Sequence, residues 1–589
     1  MLTDQDIESI SEQPPMFCYQ CEQAGREKGC YTNRGVCSKD ATQSALFDCL
    51  LAGAFSLAIH ARPLIDQANF QLPKDWSEAL IDAFFLTLTN VNFSHDDVIP
   101  YVRRLATCKQ AAIAERTKRN IPELSYTAEF GNEGSFLLRD WLPAGDTPSE
   151  IAEQGRQFGI YKSLKKQGAT ITGLQQVSIY GLKGLSAYSH HINMLGGDIN
   201  PDGLGIIETL SDIIQGQRDL LDIAKNVGKL NFDTMKRLDE ANTNAYGVPT
   251  PTRINYGVRA GKCILMTGHD LRDLFSLLKA TEGTGINVYT HGEMQPANAY
   301  PKLREFPHFV GNFGSAWQNQ RKEFALFPGP IVANTNCIMP PTENYAYRAF
   351  SCNVVGHDKF IHIPYIKPGE PEKDWSPVIK LAMECPGFEA DGPAPFENFL
   401  ESQVGTTNWR FTTPLIPDVL QLVKEQKLRR IIFIGGCDGS YPGRNYYNDL
   451  AELVQKNHPD CIVAGSACGV YRYITTKDFG NLPGTELPRM FYMGQCNDTF
   501  SAIVLVAEIA KAAGIGLNEV PVSYFVSWFE QKAVAIFLTL MYLGIKNIRL
   551  GPRSPAWISP NAFKVLHDDL NLMMIDDPQN DLEAALNGQ

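Results

Sequence analysis

The segments CILMTGHD (263–270) and IIFIGGCD (431–438) share one pattern. Each is a short apolar run that ends at a glycine, a histidine or cysteine, and an aspartate. A helical stretch follows each, and further apolar runs then end at INVYTHGE (286–293) and IVANTNC (331–337), or at CIVAGSAC (461–468) and FYMGQC (491–496). Short strands that alternate with helices are typical of parallel α/β units. The sequence therefore predicts two repeated α/β domains that are Rossmann-like and doubly wound.

The predicted strand ends carry side chains that bind metals. In parallel α/β sheets, ligands bind beyond the carboxyl ends of the strands, so two such domains face to face would direct these side chains into one cleft. Taken singly, a cysteine after a strand is more often a small buried hydrophobe, the histidine could cap a helix, and the glutamate could be a surface carboxylate. Their joint placement favours a metal site instead. The six residues are His269, Glu293, Cys337, Cys437, Cys468 and Cys496.

A second cysteine cluster lies near the start of the chain, in FCYQCEQAGREKGCYTNRGVC (17–37), with the spacing C-x2-C-x8-C-x6-C at Cys18, Cys21, Cys30 and Cys37. Such a run holds disulfides, zinc or an iron–sulfur cluster. The polar, acidic first residues do not resemble a signal peptide, which predicts a cytoplasmic location, where disulfides are rare. From the residues alone, zinc and iron–sulfur remain open. The other six cysteines lie in apolar or loop contexts typical of structural thiols: Cys49, Cys108, Cys263, Cys352, Cys385 and Cys461.

Composition narrows the classes of partner. The chain has 589 residues, a formal net charge of −12 and 44% hydrophobic residues, which predicts a globular protein of several domains that binds neither nucleic acid nor membrane. The apolar run 533–545 is too short to span a bilayer and reads as a core helix. The Gly-rich turn in GGCDGSYPG lacks the G-x-G-x-x-G order, so a nucleotide site there is a weak alternative.

The chain changes character near residue 250. Residues 41–243 show apolar residues three and four apart, which predicts helices, and the Pro- and Gly-containing 242–257 reads as a linker. We therefore expect a helical amino-terminal domain of two bundles at 1–250, a first α/β domain at 251–395 and a second at 396–589.

Several ordered motifs resemble the hybrid cluster proteins, also called prismane proteins or hydroxylamine reductases. The motifs are MFCYQCEQ (16–23), GHDLRDL (268–274), TEGTGINVYTHGEM (281–294), ANTNC (333–337), GGCDGSYPGRNYY (435–447), ACG (467–469), GQCND (494–498), SWFEQKA (527–533) and LGIKNIRLGP (543–552). They extend over nearly the whole chain.

The resemblance implies two iron–sulfur centres. The first would be a conventional cluster on Cys18, Cys21, Cys30 and Cys37, and the spacing favours [4Fe–4S] over [2Fe–2S]. The second would be a hybrid [4Fe–2O–2S]-type cluster held by one histidine, two glutamates and four cysteines. Those roles fall on His269, Glu293, Cys337, Cys437, Cys468, Cys496 and Glu530, of which Glu530 comes from the resemblance alone.

The resemblance further implies that Cys437 carries a persulfide in the oxidised form. From its position two residues after Glu530, Lys532 is the candidate for delivering protons to the substrate or polarising it, and the alternative is an ordinary surface lysine. Asn336 and His291 would orient Cys337 and Glu293. The family commonly has a tyrosine immediately before the second glutamate, whereas this chain has Phe529.

The implied activity is reduction of hydroxylamine to ammonia in nitrosative or oxidative defence. The first cluster would deliver electrons and the second would bind and reduce substrate. Alternatives are reduction of nitric oxide to nitrous oxide, a non-catalytic redox or nitric-oxide sensor, and a carbon monoxide dehydrogenase. The two glutamates argue against the last, because a nickel–iron–sulfide site would be richer in sulfur. The electron donor would be a ferredoxin-type protein or a flavin- or NADH-dependent reductase that docks near the first cluster.

Overall fold

A computed structural model describes residues 1–10, 12, 14–124, 138–366, 372–393, 395–396, 402–404, 408–439, 441 and 443–589. Its first part is helical, as the sequence predicts. The longer helices there are Ala41–Ile65, Lys74–Leu86, Ile99–Lys118, Pro148–Gly155, Ile160–Met194, Asn200–Gln215 and Leu220–Tyr246. Ala41–Ile65 is long and apolar enough to span a membrane by length and composition, yet 83% of its most apolar window is buried inside the protein.

The second part contains two six-stranded sheets in which all neighbouring strands are parallel. In spatial order, the first sheet consists of Phe309–Asn312, Asn287–His291, Cys263–Thr267, Ile331–Ala333, Ala349–Cys352 and Ile361–Ile363. The second consists of Met490–Tyr492, Cys461–Ser466, Arg430–Gly436, Val522–Ser527, Ile548–Gly551 and Met573–Met574. In both sheets the chain starts at the third position, moves to one edge and then returns to build the other side. This doubly wound order confirms the predicted fold class.

The first sheet contains a strand between those that precede Glu293 and Cys337 that the sequence motifs do not indicate. Phe309–Asn312 follows Asn287–His291 in the first sheet and occupies the place that Met490–Tyr492 has in the second. Cys337 therefore follows the fourth strand of its sheet, and its counterpart in the second sheet is Glu530 rather than Cys496.

The predicted linker at 242–257 is partly structured. Leu220–Tyr246 remains helical through its first five residues, and Thr252–Ile254 pairs in antiparallel fashion with Ser402–Val404. This short two-stranded sheet joins the segment that leads into the first α/β domain with the segment that leads into the second.

The second α/β domain shares its core with the helical part. Helix Gln531–Tyr542, which follows the strand Val522–Ser527, is almost completely buried and packs against Ile160–Met194 and Leu220–Tyr246. Gly184 allows this close packing, because a β-carbon there would lie 2.4 Å from the carbonyl oxygen of Gln531. The helical part thus fixes the residues around Glu530.

Candidate metal centres

The amino-terminal cysteines lie on one compact loop. The backbones of Cys18 and Cys30 exchange two hydrogen bonds, with N···O distances of 3.0 and 2.8 Å, which bring two halves of the loop side by side. Cys21 is buried, and the other three cysteine residues are partly exposed. Burial raises the pKa of Cys21, and Cys37, Cys18 and Cys30 raise it further, because the four sulfurs are close enough to repel one another as thiolates. Such an all-sulfur set suits an iron–sulfur cluster.

Lys39 lies directly beside this loop. Its ammonium donates a hydrogen bond to Cys18 Sγ at 3.4 Å, and the residue is 8% exposed. Burial alone would lower the pKa of Lys39, but negative charge on Cys18 and Cys37 raises it above its usual value. A buried cation next to the sulfurs favours their ionised, metal-binding form.

The second group of residues lies where strand ends of the two sheets meet. A small cavity there is lined by six of the expected ligands and by Lys532. Cys496 also belongs to this site, because its Sγ lies within 4.8 Å of ligand atoms of both His269 and Glu293. The structure therefore brings together His269, Glu293, Cys337, Cys437, Cys468, Cys496 and Glu530.

Glu293 links the two α/β domains. One carboxylate oxygen accepts a hydrogen bond from Cys468 N at 3.1 Å, and the other accepts from Cys496 N at 3.3 Å and lies 2.6 Å from His269 Nε2. Burial alone would raise the pKa of Glu293, but His269 and Lys532 outweigh it and lower the pKa to about 2. This carboxylate is therefore ionised in a closed site.

The ring of His269 is held in place by a contact on the side facing away from the cavity. Its Nδ1 lies 2.7 Å from Thr335 Oγ1, so that Nε2 faces the cavity. Such a contact on the far nitrogen is common for a metal-binding histidine, because it fixes both the tautomer and the ring plane.

Lys532 lies inside the site and not on the surface. Its Nζ lies 2.9 Å from His269 Nε2 and donates to Asn336 Oδ1 at 2.9 Å, and the residue is 2% exposed. Burial alone would lower the pKa of Lys532, but negative charge on Cys496, Glu530 and Glu293 raises it. The ammonium is therefore a fixed positive charge at the cavity wall.

The pKa values of the thiols and of Glu530 shift in the opposite direction from that of Glu293, because for these groups the effect of burial is not outweighed by neighbouring positive charge. Burial raises the pKa of Cys337, Cys437, Cys468 and Cys496, and it raises that of Glu530 despite the opposing charge of Lys532. Metal ligands must be deprotonated, so metal binding here would release protons. Four thiols, one imidazole and two carboxylates fit an iron–sulfur centre that also has nitrogen and oxygen ligands.

The two expected supporting residues differ in position. Asn336 Nδ2 donates to Cys337 Sγ at 3.2 Å, next to the predicted ligand. His291 instead lies 3.1 Å from Thr267 Oγ1 and 2.8 Å from a carboxylate oxygen of Glu323. It is fully buried and braces two strand ends.

Three residues at this site were not predicted from the sequence. Trp317 lines the cavity after the strand that the motifs did not reveal. The amide of Gln495 donates to the carbonyl oxygens of His269 and Glu293, at 3.1 and 2.7 Å. Tyr188, on helix Ile160–Met194, is buried close enough to Cys496 for each residue to affect the pKa of the other. Gln495 precedes a predicted ligand and could have been suspected, whereas Tyr188 carries no local signal.

Comparisons with known proteins agree with this architecture. The Prismane/CO dehydrogenase family matches residues 16–583. A hydroxylamine reductase of Methanocella arvoryzae is 40% identical over 580 residues, covering 97% of this chain and 100% of the relative. One from Enterobacter sp. (strain 638) is 39% identical over 586 residues, with the same coverage. Among solved structures, carbon monoxide dehydrogenase IV from Carboxydothermus hydrogenoformans aligns with a TM-score of 0.52 at 15% identity, covering 100% of this chain and 95% of that one, which indicates a common fold.

Proposed function

Because the chain belongs to the Prismane/CO dehydrogenase family, we propose that it reduces hydroxylamine to ammonia and water, with two electrons and two protons consumed per molecule. The observation that carries the proposal is the mixed set of four cysteines, one histidine and two glutamates around one buried cavity beside a lysine. The names of relatives about 40% identical over almost their whole length support the choice of substrate.

The cofactors of this proposal are two iron–sulfur centres. A [4Fe–4S] cluster, rather than [2Fe–2S], would be held by Cys18, Cys21, Cys30 and Cys37. A hybrid iron–sulfur–oxygen cluster would be held by the seven residues of the second site, with Cys437 as the persulfide position. When bound, these centres supply electrons and iron positions open to a small nitrogenous molecule.

The residues of the second site bind and orient the substrate in this proposal. Lys532 Nζ donates a hydrogen bond to the oxygen of the N–O bond, and its fixed positive charge offsets negative charge that develops on that oxygen as the bond breaks. Asn336 holds the ammonium through its carbonyl oxygen. Glu530 caps the start of helix Gln531–Tyr542: its carboxylate accepts a hydrogen bond from the backbone N–H of Lys532 at 2.8 Å and lies 3.9 Å from the Lys532 ammonium.

The redox partner would dock where the amino-terminal thiols are partly exposed. The residues Cys18, Cys30 and Cys37 are partly exposed, whereas the predicted ligands of the second site are buried except for the partly exposed Cys337. A ferredoxin-type protein or a flavin- or NADH-dependent reductase would therefore pass electrons first to the amino-terminal cluster. A cytoplasmic location, in which thiols remain reduced, suits both centres.

Anaerobic turnover tests the proposal. Protein loaded with iron and sulfide is mixed with a reduced viologen and hydroxylamine, and ammonia is measured against viologen oxidised. We expect many ammonia molecules per chain, at one per two electrons. A single equivalent of ammonia per chain would indicate a sensor, and nitrous oxide formed from nitric oxide without ammonia from hydroxylamine would indicate the alternative reductase.

A further inference from the structure

A buried ion-pair bridge connects the two candidate metal centres. Glu22 follows Cys21 in the amino-terminal loop, and Asp438 follows Cys437 in the second site. Arg444 lies between them. Its guanidinium is 2.7 Å from one Glu22 carboxylate oxygen, 3.3 Å from the other, and 3.3 Å from Asp438 Oδ1. The side chains of Glu22, Asp438 and Arg444 are 0%, 3% and 8% exposed, so this bridge is shielded from solvent.

The Gly-rich turn after Cys437 is shaped for this bridge. A β-carbon on Gly439 would lie 2.3 Å from a guanidinium nitrogen of Arg444 and 2.3 Å from a carboxylate oxygen of Glu22. A glycine here therefore lets the two charged groups meet. The turn that resembles a nucleotide loop in sequence is thus explained by an ionic contact inside the protein.

Other contacts keep the bridge in place. Arg472 holds the second oxygen of Asp438 at 2.8 Å and also donates to the carbonyl oxygen of Gly439 at 2.9 Å. On the other side, Glu22 N donates to the carbonyl oxygen of Phe529 at 3.0 Å, immediately before Glu530. The amino-terminal loop is thus tied to two ligand-bearing segments of the second site, and Arg444 is the cation that contacts both carboxylates.

We propose that Arg444 is a positioning residue that couples the two metal centres: it clamps the cysteine loop to the Cys437 turn, and its charge favours the reduced form of both centres. Arginine suits this role, because its planar fork can hold two carboxylates and it keeps its charge when buried. Net charge and buried hydrogen bonds around an iron–sulfur centre are known to set its reduction potential. The inference rests on the proposed clusters, but not on hydroxylamine as the substrate.

Opposite charge changes give the decisive test. The reduction potentials of both centres are measured by EPR-monitored redox titration of anaerobic, iron-loaded wild type, Arg444→Met, Arg444→Lys and Glu22→Gln. Arg444→Met should lower the equilibrium constant for one-electron reduction about tenfold, which corresponds to a fall of about 59 mV in reduction potential. Glu22→Gln removes a negative charge from the same bridge and should shift both potentials upward. For Arg444→Lys, the equilibrium constant for reduction should stay within threefold of the wild-type value, because lysine keeps the positive charge.

A matched control separates charge from fold. Arg348 is also a buried arginine, but it lies just before Ala349–Cys352, the fifth strand of the first sheet, and donates to the carbonyl oxygens of Gly329 and Phe324. Arg348→Met should leave both potentials unchanged. The proposal is overturned if Arg444→Met and Glu22→Gln shift the potentials in the same direction, or if neither shift exceeds that of the control.

Two further readouts keep the test decisive. If Arg444→Met fails to assemble iron, the sign of the Glu22→Gln shift decides alone, because a purely structural bridge predicts no upward shift. The titration contains no hydroxylamine, so loss of the proposed activity in wild type would refute the function while leaving this result intact.

Discussion

Replacing Lys532 by methionine removes the fixed charge of the second site with little change in side-chain size. The ammonium has hydrogen-bond partners at 2.9 Å on His269 and Asn336, and it is the group that would donate to the N–O oxygen of substrate. Removing one preorganised donor from a closed site typically costs 10²–10³ in kcat, or about 2.7–4 kcal/mol of transition-state stabilisation. We expect Lys532→Met to lower kcat by a factor in this range, while the iron content of the variant stays near that of wild type.

The assay is hydroxylamine-dependent oxidation of reduced viologen, normalised to iron bound per chain. Lys109→Met is the matched control, since Lys109 is also 2% exposed but donates to the carbonyl oxygen of Trp141 in the helical part. The control should alter stability and leave kcat per loaded chain within threefold of wild type. A Lys532→Met enzyme with full iron and wild-type kcat would refute the assigned role of Lys532.

Three other substitutions test separate parts of the account. Cys30→Ser should abolish the amino-terminal cluster and keep the second, so iron per chain falls by about half and the remaining EPR signal is that of the second centre. Gly184→Ala would place a β-carbon 2.4 Å from the carbonyl oxygen of Gln531, so it should destabilise the fold by about 1–3 kcal/mol in thermal unfolding and reduce the iron bound in the second site. Gly392→Ala is the control: the space around its β-carbon is open, and neither the stability nor the iron content should change. Phe529→Tyr adds a hydroxyl to a fully buried ring stacked at 4.1 Å on Trp317 and should lower the free energy of unfolding by about 1–3 kcal/mol; an unchanged melting temperature would mean that the phenol finds room and a partner.

The sequence predicted the parallel α/β repeat well, because apolar strand cores ending in Gly-His-Asp and Gly-Cys-Asp leave a local signal. It missed the strand Phe309–Asn312, and with it the placement of Trp317, because that strand ends without a metal-binding side chain. Counting that strand makes Cys337 and Glu530 equivalent positions, so the repeat itself would have pointed to Glu530.

The sequence motifs could not predict contacts between residues that are far apart in the chain. Tyr188 meets Cys496 across more than 300 residues, and Arg444 meets Glu22 across 422. Neither pair has a spacing rule, since both depend on how the helical part and the two sheets pack together. His291 shows the converse error: it lies two residues before Glu293 in sequence, yet its ring contacts Thr267 and Glu323 instead.

The most direct test of the central claim is the metal content of anaerobically purified protein, with EPR of the reduced and oxidised states. Iron, sulfide, nickel and zinc are measured together. We predict about eight iron atoms per chain, no nickel, and two distinct signals, of which one is a high-spin signal unlike that of a cubane cluster. Zinc alone, or about four irons with only a cubane signal, would contradict the assignment of the second site to His269, Glu293, Glu530 and the four cysteines.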